Sequence, residues 1–273
     1  MGILNITPDS FSDGGAHFDL EEAVAHGRQM LADGADVVDV GGESTRPGAR
    51  PVREKDELAR VLPVVEALAR DGAIVSIDTM KPGVMQAAIE AGATLVNDVR
   101  ALQARGAVEV VARSPAAVCL MHMQGTPRTM QKAPVYDEVV REVRDFLVAR
   151  AFSCEAAGIA RERIAIDPGF GFGKTRAHNL ALVRALPVLA ATGYPVLVGM
   201  SRKGTLGEIT GRTVTERVAG SVAAALAAVA RGALLLRVHD VRETVDALKV
   251  WEAFTGPEPA GAAAVPAGAR AAR

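Results

Sequence analysis

Cysteine is almost missing from this 273-residue chain: Cys119 and Cys154 are the only two, and they form no CxxC pair. That excludes a disulfide framework and a thiolate zinc site, and predicts two buried thiols. An excess of one charge is missing too. Lys and Arg number 31, Asp and Glu 32, and the formal net charge is −1. So even a balance argues against a general nucleic-acid footprint, although a local basic pocket is compatible with it. No window reaches the roughly 18 apolar residues of a membrane span. The N-terminus has no basic segment and Pro8-Asp9 interrupts its apolar run, so it does not read as a signal peptide. Ile6 stands where a myristoylation signal needs Ser or Thr. Asn5-Ile6-Thr7 has the form of a glycosylation sequon, which a cytosolic chain does not use. The expectation is a cytoplasmic protein without nucleic-acid or membrane partners.

What is present is a repeated alternation of short apolar runs and helical stretches. Strands are read at Gly2–Ile6, Asp36–Gly41, Ala73–Asp78, Thr94–Asp98, Ala117–Met121, Arg163–Asp167, Pro195–Gly199 and Leu234–Val238. Helices are read from about Leu20 to Asp33, Glu54 to Arg70 and Tyr136 to Ala157, the last ending at Gly158 as a C′ glycine. Pro82 fits the first turn of another, and Val241, Val245, Leu248 and Trp251 mark a final one. Eight strands alternating with helices predict an α/β fold, a single-domain (β/α)8 TIM barrel over residues 1–255. An open doubly wound sheet is the alternative. The barrel is preferred because Asn5, Asp39, Asp78, Asn97, Asp167, Ser201 and Arg237 recur at strand C-terminal ends, the face on which barrels build sites. An open sheet would gather them at one switch point. The tail 256–273 is rich in Ala, Pro and Gly and is expected to be disordered.

The loop Asp39-Val40-Gly41-Gly42-Glu43-Ser44-Thr45-Arg46-Pro47-Gly48 follows a β-branched run and gathers glycines, hydroxyls and a guanidinium, a set suited to wrapping an anion. With Asn5-Ile6-Thr7-Pro8-Asp9-Ser10-Phe11, Gly199-Met200-Ser201-Arg202-Lys203 and Arg237-Val238-His239-Asp240, it resembles the dihydropteroate synthases of the bacterial folate pathway. The likeness runs from Met1 to about Phe254. It implies a transferase that condenses 6-hydroxymethyl-7,8-dihydropterin pyrophosphate with p-aminobenzoate, with Mg²⁺ as cofactor and a homodimeric assembly. Members of the family carry a β-hairpin before strand one. Met1 falls immediately before that strand here, so an uncovered barrel floor is expected, through a mis-assigned start or a shortened chain.

Barrel closure makes strand eight a neighbour of strand one. Asn5, Thr45, Arg46, Arg237 and His239 should therefore share an arc suited to pyrophosphate, with Asn5 helping to place the divalent cation, which keeps waters and takes phosphate oxygens. The ordinary alternative is that Arg46 and Arg237 pair with surface carboxylates. Asp78, Asn97, Asp167 and Lys203 form a second arc. Carboxylates there accept from a pterin's ring N–H and amino group while the amide or ammonium donates to its carbonyl. Asp167 fits the amino edge, Asn97 and Asp78 the far ring, and Met121 would lie under it. Helix N-caps are the ordinary reading of a strand-end Asp, and the one adopted for Asp98 and Asp240. Phe11, Pro47 and Phe172 would sandwich the benzoate ring, with Ser201 near its carboxylate. The resemblance makes Asp78, Lys203 and Arg237 the catalytic residues.

Three features are set aside. Pro168-Gly169-Phe170-Gly171-Phe172-Gly173-Lys174-Thr175 is similar to a phosphate loop, but Pro168 replaces its first required glycine. His122 lacks a second histidine at ligand spacing. No Ser–His–Asp arrangement suggests a nucleophile. A pterin-binding methyltransferase barrel and a non-catalytic pterin-binding paralogue are the competing functions. Neither needs the Thr45-Arg46-Pro47, Ser201-Arg202-Lys203 and Arg237-Val238-His239 set together.

Overall fold

The computed structural model describes residues 1–6, 16–46 and 48–256. Phe11, Pro47 and the tail from 257 onward lie outside the described residues. The elements run β1 (Gly2–Asn5), α1 (Ala16–Ala32), β2 (Val37–Gly41), α2 (Glu54–Arg70), β3 (Ile74–Asp78), α3 (Pro82–Glu90), β4 (Leu95–Asp98), α4 (Ala107–Ala112), β5 (Ala117–Met121) and α5 (Val139–Ala156). They continue with β6 (Ile164–Asp167), α6 (Arg176–Arg184), α7 (Leu186–Ala190), β7 (Leu197–Val198), α8 (Gly204–Thr210), α9 (Val218–Val229), β8 (Leu235–Leu236) and α10 (Val241–Thr255).

The strands are short and rich in β-branched residues because helices cover their outer face while side chains fill the interior. Strands β1 to β6 pair in sequence order, all parallel, and β7 pairs with β8. An Ile166–Val196 bridge joins β6 to the β7 segment, and a Gly2–Val238 bridge joins the β8 segment to β1. Ile3 N–H donates to the Val238 carbonyl at 3.0 Å. The ring therefore closes as the predicted barrel. β7 and β8 are shorter than predicted, two residues each, because beyond them only single bonds such as Arg237 N–H to the Val198 carbonyl continue the pairing.

The helix α2 matches its predicted span at both ends. Acidic Glu54, Asp56 and Glu57 fill its first turn and Arg70 its last, as the helix dipole favours. Its inner face buries Val61, Val64, Val65 and Leu68 against β2 and β3. Gly158, at φ +95°, follows the cap of α5 in the left-handed conformation that a C′ glycine takes. Both cysteines are free and buried.

Register does the work of site assembly. Asn5 lies opposite Gly41, Gly41 opposite Asp78, Asp78 opposite Asn97, and Asn97 opposite Cys119. Met121 lies opposite Asp167. One level of the barrel thus carries an amide, a carboxylate and a second amide side by side. Asp39 is not at a strand end: it sits two residues inside β2, with no exposed surface.

Candidate active site

Arg237, immediately after β8, is the hub. Its Nε donates to Asp39 Oδ2 at 2.6 Å and its Nη2 to Asp78 Oδ2 at 2.6 Å. Asn97 Nδ2 donates to the same Asp39 oxygen at 3.1 Å. The surface-pair reading of Arg237 is therefore replaced by a buried one, with Asp39 as a partner that sequence reasoning left out. Its signal was a carboxylate in the middle of Val37-Val38-Asp39-Val40, where a charge is costly unless paired. Burial lowers the Arg237 pKa, but the two carboxylates outweigh it and keep the guanidinium charged. Burial pushes the Asp78 carboxyl up to about 7, against the pull of Arg237 and with help from Asp39 and Asp98. Gly199 packs beside this arginine: a Cβ there would be in ordinary contact with Arg237 Cβ at 3.7 Å. The two predicted arcs meet at Arg237 and Asp78.

Asp167 ends β6, and its Oδ1 accepts from Gly169 N–H at 2.6 Å. Burial raises its pKa, while Lys203 and Lys174 oppose that rise. Lys203 donates to the Phe170 carbonyl, and its Nζ stands 4.5 Å above the Phe172 ring. Burial and the charge of Arg237 bring the ammonium down to about 8, with Asp167 and Asp78 opposing. Lys203, Asp167 and Phe172 are thus brought together as one corner of the mouth. Met121 is buried at the end of β5.

Ser201 and His239 form a pair: Ser201 Oγ accepts from His239 N–H at 3.1 Å and lies 3.0 Å from its Nδ1. With the hydroxyl proton turned to Nδ1, the Nε2–H is left to donate to an anion. Burial, then Arg237 and Arg202, lowers the His239 pKa to about 4, so the ring is neutral at neutral pH. Arg46 adds to that shift, which puts its charge within reach of His239. Arg46 itself is exposed and Thr45 half-buried, and neither is bonded to Arg237. Asn5 is half-buried, and its Oδ1 and the Asp78 side chain close about Gly41: a Cβ there would touch both at 3.5 Å.

Two predicted caps have other roles. Asp98 starts no helix: it accepts from Arg100 and Leu102 N–H, each at 2.8 Å, to shape a turn. Asp240 occupies the N-cap position of α10, but its carboxylate binds Arg202 instead. The false phosphate loop is an internal strap. Lys174 Nζ reaches His122 Nδ1 at 2.9 Å and the carbonyls of His122, Gly169 and Phe172 at 3.2, 3.0 and 3.0 Å. Thr175 caps α6. With Lys174 spent on these acceptors, no cation is left there for a phosphate. His122, brought to about 3 by burial and Lys174, is a hydrogen-bonded strand-end residue. Burial also pushes the Cys119 thiol up, so it is no nucleophile. A cavity of about 450 Å³ runs outward from Met121 past Met123 and Phe146 to Glu43, Lys81 and Arg128.

A closed (β/α)8 barrel with carboxylates, an amide and a lysine inside its mouth, and arginines and a histidine at its rim, defines an enzyme for a polar ring bearing an anion. The chain matches the pterin binding enzyme family over residues 1–239. It is 55% identical over 261 residues to dihydropteroate synthase of Neisseria meningitidis serogroup B, covering 93% of this chain and 92% of that one. The Xanthomonas albilineans dihydropteroate synthase with 4-aminobenzoic acid superposes with TM-score 0.89 at 55% identity, covering 94% and 92%. That of Yersinia pestis, with a sulfonamide drug complex, superposes with TM-score 0.88 at 50% identity, covering 93% and 92%. The chain belongs to the dihydropteroate synthase family, the transferases of folate biosynthesis that act on pterins.

Proposed function

We propose that the site divides the condensation of 6-hydroxymethyl-7,8-dihydropterin pyrophosphate with p-aminobenzoate between a ring-holding interior and an anion-holding rim. The observation that carries this reading is the Arg237 hub: a charged guanidinium held by two interior carboxylates, whose charge, like that of Arg46, bears on His239. Asp167 accepts from the amino edge of the pterin, Asn97 and Asp78 from its far ring, and Lys203 donates to its carbonyl. Met121 packs beneath the ring. Asn5, Thr45, Arg46, Arg237 and His239 take the pyrophosphate, the group on which charge develops as the C–O bond breaks. Loss of pyrophosphate leaves a pterin cation, which Asp78 offsets. The arylamine nitrogen then attacks the methylene carbon and releases a proton, giving 7,8-dihydropteroate. Phe172 lines the benzoate ring, and Ser201 lies near its carboxylate.

Mg²⁺ fits this donor set. Among the described residues no three His, Cys, Asp or Glu side chains gather into a metal cage. A single half-buried amide oxygen, Asn5 Oδ1, suits a cation that brings its own waters and phosphate oxygens. Asn5 would hold it, and bound there it would neutralise charge on the departing pyrophosphate.

A homodimer in the cytoplasm completes the proposal. Exposed Leu234, Val250 and Phe254 support an apolar contact surface, and no helix among the described residues is long and apolar enough to cross a membrane. The direct test is incorporation of labelled p-aminobenzoate into dihydropteroate, with and without Mg²⁺. Metal-dependent product is expected. Absence of product with both substrates and metal present rules the reading out.

A further inference from the structure

The loop after β2 is joined to the rest of the barrel by a charge network to which no role in the reaction has been given. Glu57, in the first turn of α2, is fully buried. One of its oxygens accepts from Thr79 Oγ1 at 2.6 Å, and the other accepts from Lys81. Lys81 stands between β3 and α3 and also donates to Glu43 of the loop. Arg60 Nη1 of α2 donates to the Gly42 carbonyl at 2.8 Å. The fit is tight: a Cβ on Gly42 would lie 2.7 Å from Val61 and 3.0 Å from Glu57. Residues 42 and 43 are therefore fixed to α2 and to the segment between β3 and α3, with Glu43 two positions ahead of Thr45 and three ahead of Arg46. A lysine with two carboxylates also cancels charge that would otherwise face an incoming polyanion.

We infer that Lys81 is a positioning residue for the pyrophosphate: through Glu43 it sets the path of the loop that presents Thr45 and Arg46, and it shields the anion from Glu43 and Glu57. The inference rests on the assignment of that loop to the pyrophosphate. Lys81 lies at the outer end of the cavity that begins at Met121, and its hydrogen bonds go to Glu43 and Glu57 rather than to Asp167, Asn97 or Lys203, so its loss acts on one substrate.

The experiment compares Lys81→Met, Lys81→Arg and Glu43→Gln with the native chain, and uses Arg46→Ala as reference. Turnover is read together with equilibrium binding of the pterin pyrophosphate and of the unphosphorylated pterin alcohol. KM for the pyrophosphate substrate should rise about tenfold or more in Lys81→Met, the scale of a small misplacement of a binding group. It should rise less in Glu43→Gln, which loses the anchor but adds no repulsion, and recover in part in Lys81→Arg. KM for p-aminobenzoate and the Kd of the alcohol should stay within about twofold of native, a selectivity that a merely structural role would not give. Glu43→Gln leaves the buried Lys81–Glu57 pair intact, so it reports even if Lys81→Met does not fold. Equal weakening of alcohol and pyrophosphate, or a native KM in Glu43→Gln while Arg46→Ala is impaired, overturns the inference alone. Native pyrophosphate binding in Arg46→Ala overturns the loop assignment, and the inference with it.

Discussion

The loops after β6 and after β2 both leave the barrel mouth from buried strands, and they are held differently. Residues 168–174 are tied along their whole length. Lys174 reaches four acceptors, Tyr136 Oη donates to the Gly173 carbonyl at 2.8 Å, and Asp167 takes Gly169 N–H. Gly169 and Gly173 have φ of +67° and +64°, and a Cβ on either would lie within 2.4 Å of a backbone oxygen. Residues 42–46 and 48–49 are tied at Gly42 and Glu43, by Gly48 N–H to the Pro127 carbonyl at 3.2 Å, and otherwise within the loop, by Ala49 N–H to the Arg46 carbonyl at 3.0 Å. Thr45 and Arg46 lie between. The contrast fits the proposed division: a planar ring calls for donors and acceptors that do not move, whereas a pyrophosphate can be met by charges that close over it.

The largest effect that could break this contrast is in the strap. Lys174→Ala removes the shared partner of His122 Nδ1 and of the His122 and Phe172 carbonyls, and should cost about 3 kcal/mol or more of stability. The urea midpoint measures it, and a midpoint near native would show that the loop is not held by Lys174. Next comes Arg46→Ala, at an exposed position. Unfolding should change by less than about 0.5 kcal/mol, while binding of the pyrophosphate substrate weakens by about 2 kcal/mol. Titration calorimetry with and without the pyrophosphate group separates the two. A third test is acid sensitivity. His122 and His239 take protons in the fold only near pH 3 and pH 4, whereas in the unfolded chain they do so at about 6.5. The unfolded chain therefore binds more protons as pH falls from about 6.5, and stability drops across that window. NMR titration should show His122 still neutral at pH 5. A proton taken up near 6.5 would mean that the Lys174–His122 contact is not maintained.

Local order was readable where sequence and burial agree. The spans Glu54–Arg70 and Ala117–Met121 match at both ends because period and boundaries are written into adjacent residues. The eight-strand count and its closure followed from the same alternation. Helices α8 and α9 escaped because Gly204-Thr205-Leu206-Gly207 opens one, and the Ala-rich stretch to Val229 lacks a polar face to mark the period. Candidate side chains were legible as types at strand ends. Their partners were not, since Arg237 meets Asp39 across 198 positions and Lys81 meets Glu43 across 38. Glu57 did leave a trace: it lies one turn before Val61 on the apolar face of α2, where an unpaired carboxylate would not be tolerated.

Lys203 stands where the strapped loop and Asp167 converge, on the side proposed for the benzoate, and its substitution tests the proposal most directly. Steady-state turnover of Lys203→Ala should fall about a hundredfold or more, the scale of one lost preorganised electrostatic contact, with an unfolding midpoint close to native. Sulfonamide inhibition should weaken with it, since such a drug presents an arylamine and an anionic group to the same corner. Native turnover with native sulfonamide inhibition in that variant would contradict the placement of Lys203 between the pterin and the p-aminobenzoate.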